Sequence, residues 1–151
     1  MIRSALLASL AGVSLLAAEP LEPAKPVLDA LFPSGRITQP LDALLAAHPL
    51  EKGKDFDVIE LGRDAGASHH LAWIVDREQP HRHDTHDLFV VILRGYGTMR
   101  IGAETRPVGE GSILYVPRAT PHAFTNLSGA PAAAYAIYSP PFDGKDRVPA
   151  E

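Results

Sequence analysis

The chain has 151 residues, a length that favours one domain able to bury a useful core, and its make-up of 46% hydrophobic and 21% charged residues is that of a globular protein. Its formal charge is −4 at pH 7, with 14 Lys and Arg scattered among 18 acids, which argues against a nucleic-acid surface. The absence of cysteine excludes disulfides, thiolate metal sites and a cysteine nucleophile, and 14 Pro with 12 Gly favour many short strands over long helices.

Met1-Ile2-Arg3 carries one positive charge and precedes an apolar run from Ala5 to Ala18 that stops at Glu19-Pro20. This is the layout of a signal peptide over residues 1–18, cleaved after Ala17 or Ala18. The run is shorter than the ~20 residues of a membrane-spanning helix. A periplasmic or secreted protein is expected, with no stable membrane insertion after cleavage. Residues 19–49 read as a linker and a short helix. Pro20, Pro23, Pro26 and Pro33 mark an extended linker up to residue 36. Thr38 is placed to cap a helix in which Pro40 suits the first turn and Leu41, Leu44 and Leu45 share a face, before His48-Pro49 ends it.

Residues 50–140 read as one domain of strands, and 141–151 as a turn-rich tail to which no chemistry is assigned. Val58 to Leu61 is a strand, and in His70 to Val75 the residues Leu71, Trp73 and Val75 alternate onto one face. Leu88 to Leu93 is apolar on both faces, as in a strand between two layers. Thr98 to Ile101, Thr105 to Val108, Ile113 to Val116 and Ala132 to Tyr138 complete an all-β pattern with a short N-terminal helix, a sandwich or closed barrel. Gly95 and Gly97 are expected to serve a turn that needs positive φ.

Three of seven histidines fall within His81-Arg82-His83-Asp84-Thr85-His86-Asp87. On an extended strand, side chains two apart point the same way, so His81 and His83 converge. Asp87 shares their parity if the backbone stays regular, whereas His86 does not. Imidazole nitrogens with a carboxylate oxygen suit Fe, Mn, Zn, Ni, Co or Cu as a divalent ion. Of the other four, His48, His69 and His70 are read as surface or strand residues, and His122 belongs to a second segment.

The second informative segment runs from Gly111 through Pro117, Ala119 and His122 to Asn126. Together with His81, His83 and Gly95 it resembles the two signatures of the cupin family, with Ala119 in place of the second signature's middle Gly. The resemblance covers roughly residues 55–140. It implies a cupin β-barrel (double-stranded β-helix or jelly roll) and metal ligands at His81, His83 and His122. The family's acidic ligand would fall at Leu88, one residue after Asp87. A β-bulge could turn Asp87 inward as the fourth ligand, or could instead present His86. Cupins include dioxygenases and isomerases as well as non-catalytic binding proteins. The reading is therefore an exported metal-binding cupin acting on a small molecule, with a non-catalytic small-molecule or metal-binding module as the alternative. No catalytic residue beyond the ligands is identified. Cupins often form homodimers through sheet edges, and Asn126 is read as a turn or supporting residue.

Overall fold

The computed structural model describes residues 25–151. The segment 1–18 read as a signal peptide lies outside the described residues, as does the start of the linker. Twelve strands and one helix follow in the order β1 (Val27–Phe32), β2 (Gly35–Pro40), α1 (Leu41–Ala47), β3 (Phe56–Arg63), β4 (Ser68–Ile74), β5 (His81–Arg82), β6 (Asp87–Arg94), β7 (Tyr96–Ile101), β8 (Glu104–Gly109), β9 (Ile113–Val116), β10 (His122–Asn126), β11 (Ala132–Ser139) and β12 (Val148–Pro149). Two five-stranded antiparallel sheets, in the orders β12-β5-β10-β7-β8 and β3-β4-β11-β6-β9, form the barrel walls. A jelly-roll barrel is therefore observed, as expected.

The second sheet is apolar on both faces because it separates two cores. Leu88 and Ile92 of β6, Ile74 of β4, Met99, Phe124 and Ala136 fill the barrel interior. On the outer face, Leu71, Trp73 and Ala133 pack against Leu45 and Leu41 of α1. Leu44 and Leu45 are nearly inaccessible, and full burial of such a side chain stabilises by about 1.5–3 kcal/mol. The indole N–H of Trp73 donates to the carbonyl of His48 at 2.7 Å and ties the end of α1 to β4.

Residues 27–36 are not an extended linker: together with 37–40 they form a β-hairpin, β1 paired with β2. The prolines flank or join its strands instead of interrupting them: Pro26 precedes β1, Pro33 lies in the turn and Pro40 ends β2. Leu28, Ala30 and Phe32 alternate towards the barrel. The Phe32 ring covers Gly62, where a Cβ would meet the ring at 2.5 Å, and packs on His69. Thr38 does not cap α1. It lies in β2 and donates to Asp29 at 2.9 Å, and Pro40 takes the cap position without a side-chain hydrogen bond.

Two turn residues, Gly95 and Ala119, and one strand glycine, Gly97, set the strands that carry the histidines. Gly95 has φ +88°, as its place after β6 predicts. Gly97 is needed for another reason: a Cβ there would lie 2.0 Å from the Thr125 carbonyl oxygen, so close approach of β7 to β10 requires its absence. Ala119 adopts φ +60°, a left-handed conformation suited to the glycine that the cupin signature carries at this place.

Candidate metal centre

β5 and β10 pair antiparallel with His81 directly opposite His122, so the register sets these two side chains together. His83 follows β5, and its carbonyl accepts from the Ala119 N–H at 2.6 Å, which ties it to the loop before β10. The three rings have centroid separations of 4.2 Å (His81–His122), 5.0 Å (His81–His83) and 5.3 Å (His83–His122). One nitrogen from each lies within 4.8 Å of the others, and all three residues are buried.

Hydrogen bonds select the tautomer. Nδ1–H of His81 donates to the Gln79 carbonyl at 2.9 Å, that of His122 to the Thr120 carbonyl at 3.0 Å, and that of His83 to the Asp146 carbonyl. Each Nε2 is then left with its lone pair. Nε2 of His83 and of His122 is buried with no hydrogen-bond partner, an arrangement that costs free energy unless something binds there. Burial is the main cause that pushes His81 down to about 3 and His122 down to about 4, and it also lowers His83. All three are neutral at pH 7, the state a metal ligand requires. Three buried, neutral imidazoles with their second nitrogens fixed on carbonyls fit a divalent transition-metal ion.

The structure does not bring Asp87 to this group. β6 begins at Asp87, whose carboxylate accepts from the Arg118 backbone N–H at 2.9 Å and from its guanidinium at 2.7 Å. The Arg118 bonds hold the Asp87 carboxyl down to about 2. Leu88, Val90 and Ile92 point into the barrel instead. Strand parity does not extend from His83 to Asp87 because β5 ends at Arg82 and a bend at Asp84–Thr85 intervenes. The irregularity in β6 lies further on, at Leu93, where Arg94 pairs with Ala133 and Ile92 with Ala134. His86 also stands apart, its ring 6.4 Å from that of His83. Its Nδ1 faces the Asp146 carboxylate at 2.5 Å and its Nε2 the Pro141 carbonyl at 3.3 Å.

Residues not singled out by sequence surround the centre. Glu78 precedes β5, and its Oε1 lies 3.5 Å from Nε2 of His81. Burial pushes its carboxyl up, against the opposing effect of Arg147. The tail folds back over the barrel mouth, where β12 pairs with β5. Asp146 accepts from the N–H groups of Asp84 and Thr85, each at 2.8 Å, and Arg147 reaches Glu78 at 3.3 Å. Phe142 stacks on Tyr138 at 4.7 Å, and its ring lies 5.6 Å from that of His83. In the sequence only charge marks Glu78, Asp146 and Arg147, since nothing local says where the tail lies.

His70 is buried on Ser68, with Nε2 to Oγ at 2.8 Å, and His69 meets the Tyr135 hydroxyl at 2.7 Å. Neither belongs to the trio. Asn126 is a support: its amide donates to the carbonyls of Val75 and Ala130 at 2.8 and 2.7 Å, fixing the end of β10. A cavity of about 50 Å³ runs from His122 into the barrel, lined by Glu78, His122 and Tyr138 and by aliphatic and aromatic side chains elsewhere.

A sequence model of the cupin domain matches residues 75–138. An uncharacterised protein of Aquifex aeolicus is 34% identical over 98 residues, covering 65% of this chain and 80% of that one. Among solved structures, a Klebsiella pneumoniae protein with a double-stranded β-helix domain aligns with a TM-score of 0.60 at 12% identity, covering 71% of this chain and 94% of that one. Streptomyces Pac13, solved with uridine, aligns with a TM-score of 0.56 at 17% identity, covering 64% and 79%. With the double-stranded β-helix barrel, the paired histidine segments and the match of its sequence, the chain belongs to the cupin superfamily.

Proposed function

We propose that this protein is an exported, metal-dependent cupin enzyme that acts on a small molecule with an apolar body. The observation that carries the reading is the convergence of three buried, neutral histidines, one nitrogen of each within 4.8 Å of the others and Nε2 of His83 and His122 without a partner, beside an apolar cavity. His81, His83 and His122 are the ligands in this reading. A divalent ion held there would supply Lewis acidity to a substrate oxygen or activate a bound water. The protein's own part is to fix the ligand tautomers, exclude water with the Tyr138–Phe142 stack and receive an apolar group in the barrel. A small-molecule substrate agrees with the uridine bound by Pac13, a cupin-like barrel. Export rests on the apolar run from Ala5 to Ala18 ending at Glu19.

The cavity volume of about 50 Å³ favours a second reading, a non-catalytic metal- or ligand-binding module, because it has room for an ion and a few waters but not a metabolite. Elemental analysis of the mature protein from its native compartment, followed by turnover assays on a metabolite panel with and without oxygen, decides between them. A stoichiometric ion with turnover supports the enzyme, and an ion without turnover supports the binding module. No bound ion in protein loaded under native conditions removes the enzyme and the metal-binding module, and leaves only a module that binds a small molecule. N-terminal sequencing that begins at Met1 would remove export.

A further inference from the structure

The barrel poses a charge problem that the three histidines leave unsolved. A divalent ion on three neutral imidazoles keeps its full charge beside an apolar cavity, and the Arg147 guanidinium lies within reach of His81 at 3.4 Å. A carboxylate is the chemical remedy. The strand position that would supply one in the cupin signature holds Leu88, packed into the interior core. The Asp87 carboxylate is engaged by Arg118, and that of Asp146 by the backbone of Asp84 and Thr85. Among the described residues, one carboxylate lines the cavity, that of Glu78.

Its placement is built into the fold. The Glu78 N–H donates to the Phe124 carbonyl of β10 at 2.8 Å, two residues from His122, and Arg77 bridges to Thr125. The side chain is 14% exposed. Two atoms each bound at roughly 2.1 Å to one ion lie about 3.0 Å apart at a right angle and about 3.4 Å apart in a tetrahedron. The Oε1–Nε2 separation of 3.5 Å between Glu78 and His81 is close to the second value. Glu78 is not one of the three residues whose donor atoms are mutually within 4.8 Å, and its partner in this geometry is Arg147 at 3.3 Å.

We propose that Glu78 is the carboxylate ligand of the metal centre, entering from the segment before β5 in place of the β6 position that Leu88 occupies, with Arg147 as its partner when no ion is bound. The proposal rests on the metal-binding reading above. It goes beyond that reading by assigning the acid to a different element of the barrel.

The test compares the full chain with Glu78→Gln and Asp87→Asn, using competition with a chromophoric chelator for Zn(II) and the visible absorption of the Co(II)-loaded protein. Glu78→Gln should weaken Zn(II) binding by roughly 100-fold, the upper end for loss of a group that supports a metal site, and should alter the cobalt bands. Asp87→Asn should leave both unchanged. Wild-type affinity in Glu78→Gln, or an unchanged cobalt spectrum, overturns the proposal, as does a loss confined to Asp87→Asn. If circular dichroism shows that Glu78→Gln does not fold, Glu78→Asp decides: displaced oxygens should shift the cobalt bands and lower affinity, and unchanged values refute ligation. A wild-type protein that takes up neither Zn(II) nor Co(II) removes the metal reading and the proposal together. Wild-type binding that Glu78→Gln retains removes the proposal alone.

Discussion

Asp146→Ala tests whether the C-terminal tail holds the metal centre together. The Asp146 side chain is 11% exposed and takes four donors: the N–H groups of Asp84 and Thr85 at 2.8 Å, the Thr85 hydroxyl at 2.7 Å and Nδ1 of His86 at 2.5 Å. Hydrogen bonds to a charged group contribute about 1.5–3 kcal/mol each, but water can reach donors near the surface once the carboxylate is gone. Taking about 1 kcal/mol for each of the four gives a loss of about 4 kcal/mol. For a domain of this size that lowers Tm by roughly 10–15 °C, measured by calorimetry on metal-free protein at pH 7. Burial raises the Asp146 carboxyl, but hydrogen bonds from Thr85, His86 and Asp84 outweigh it and hold the group below the usual carboxylate range. A carboxyl depressed on folding contributes stability above its unfolded pKa of about 3.9 and loses it as pH falls. The variant should therefore lack the part of the wild-type acid sensitivity that begins near pH 4. A Tm change under about 3 °C, or an unaltered pH profile below 4, refutes the reasoning.

Gly97→Ala should cost about 3 kcal/mol, because its Cβ would lie 2.0 Å from the Thr125 carbonyl oxygen and must force β7 and β10 apart; urea denaturation at wild-type stability would contradict this. Ala119→Gly should stabilise by up to about 1 kcal/mol, since relief of a left-handed alanine exceeds the added freedom of the unfolded chain, and a loss of stability counts against that balance. Nitrogen-15 NMR of the metal-free protein at pH 7 should find His81, His83 and His122 neutral with the proton on Nδ1; protonated Nε2 would contradict the ligand geometry. Because burial pushes His81 down to about 3 and His122 to about 4, the unfolded chain takes up protons that the folded one refuses. Metal-free protein should lose stability as pH falls from about 6.5 towards 4, and zinc-loaded protein should be more stable over the upper part of that window.

The barrel was legible because its information is local. Alternation in β7, the apolar runs of β4 and β6 and Gly95 after β6 mark strands without reference to partners. His81, His83 and His122 were legible for a related reason, since spacing within and between two short segments is preserved in the register of β5 on β10. Asp87 shows where such counting ends. Parity holds only along an unbroken strand, and the bend at Asp84–Thr85 disconnects the count from His83 to Asp87. The hairpin of β1 and β2 was hidden by prolines that border its strands, and its apolar face is explained only by Gly62 and His69 far along the chain. Glu78 and Asp146 were invisible because their partners are set by tertiary closure: 69 residues separate Glu78 from Arg147, and 61 separate Thr85 from Asp146.

That closure explains why a turn-rich tail acquires such specific contacts. The loop carrying His83 and His86 connects β5 to β6, which belong to different sheets, so neither strand ladder fixes it. Its backbone donors at Asp84 and Thr85 need acceptors, and the Asp146 carboxylate supplies them. The next residue, Arg147, reaches Glu78 beside His81 and lies over the Phe56 ring at 5.6 Å, while β12 adds a strand beside β5. One short segment thus fixes the His83 tautomer through a carbonyl, the following loop through a carboxylate and the metal-free Glu78 through a guanidinium. These contacts share a backbone, so loosening any one weakens the others. In the metal-binding reading the site and the tail are therefore coupled through two opposing contacts: an ion on His83 favours the docked Asp146 carbonyl, whereas its capture of Glu78 releases Arg147, and each contact acts on ion and tail by the same free energy.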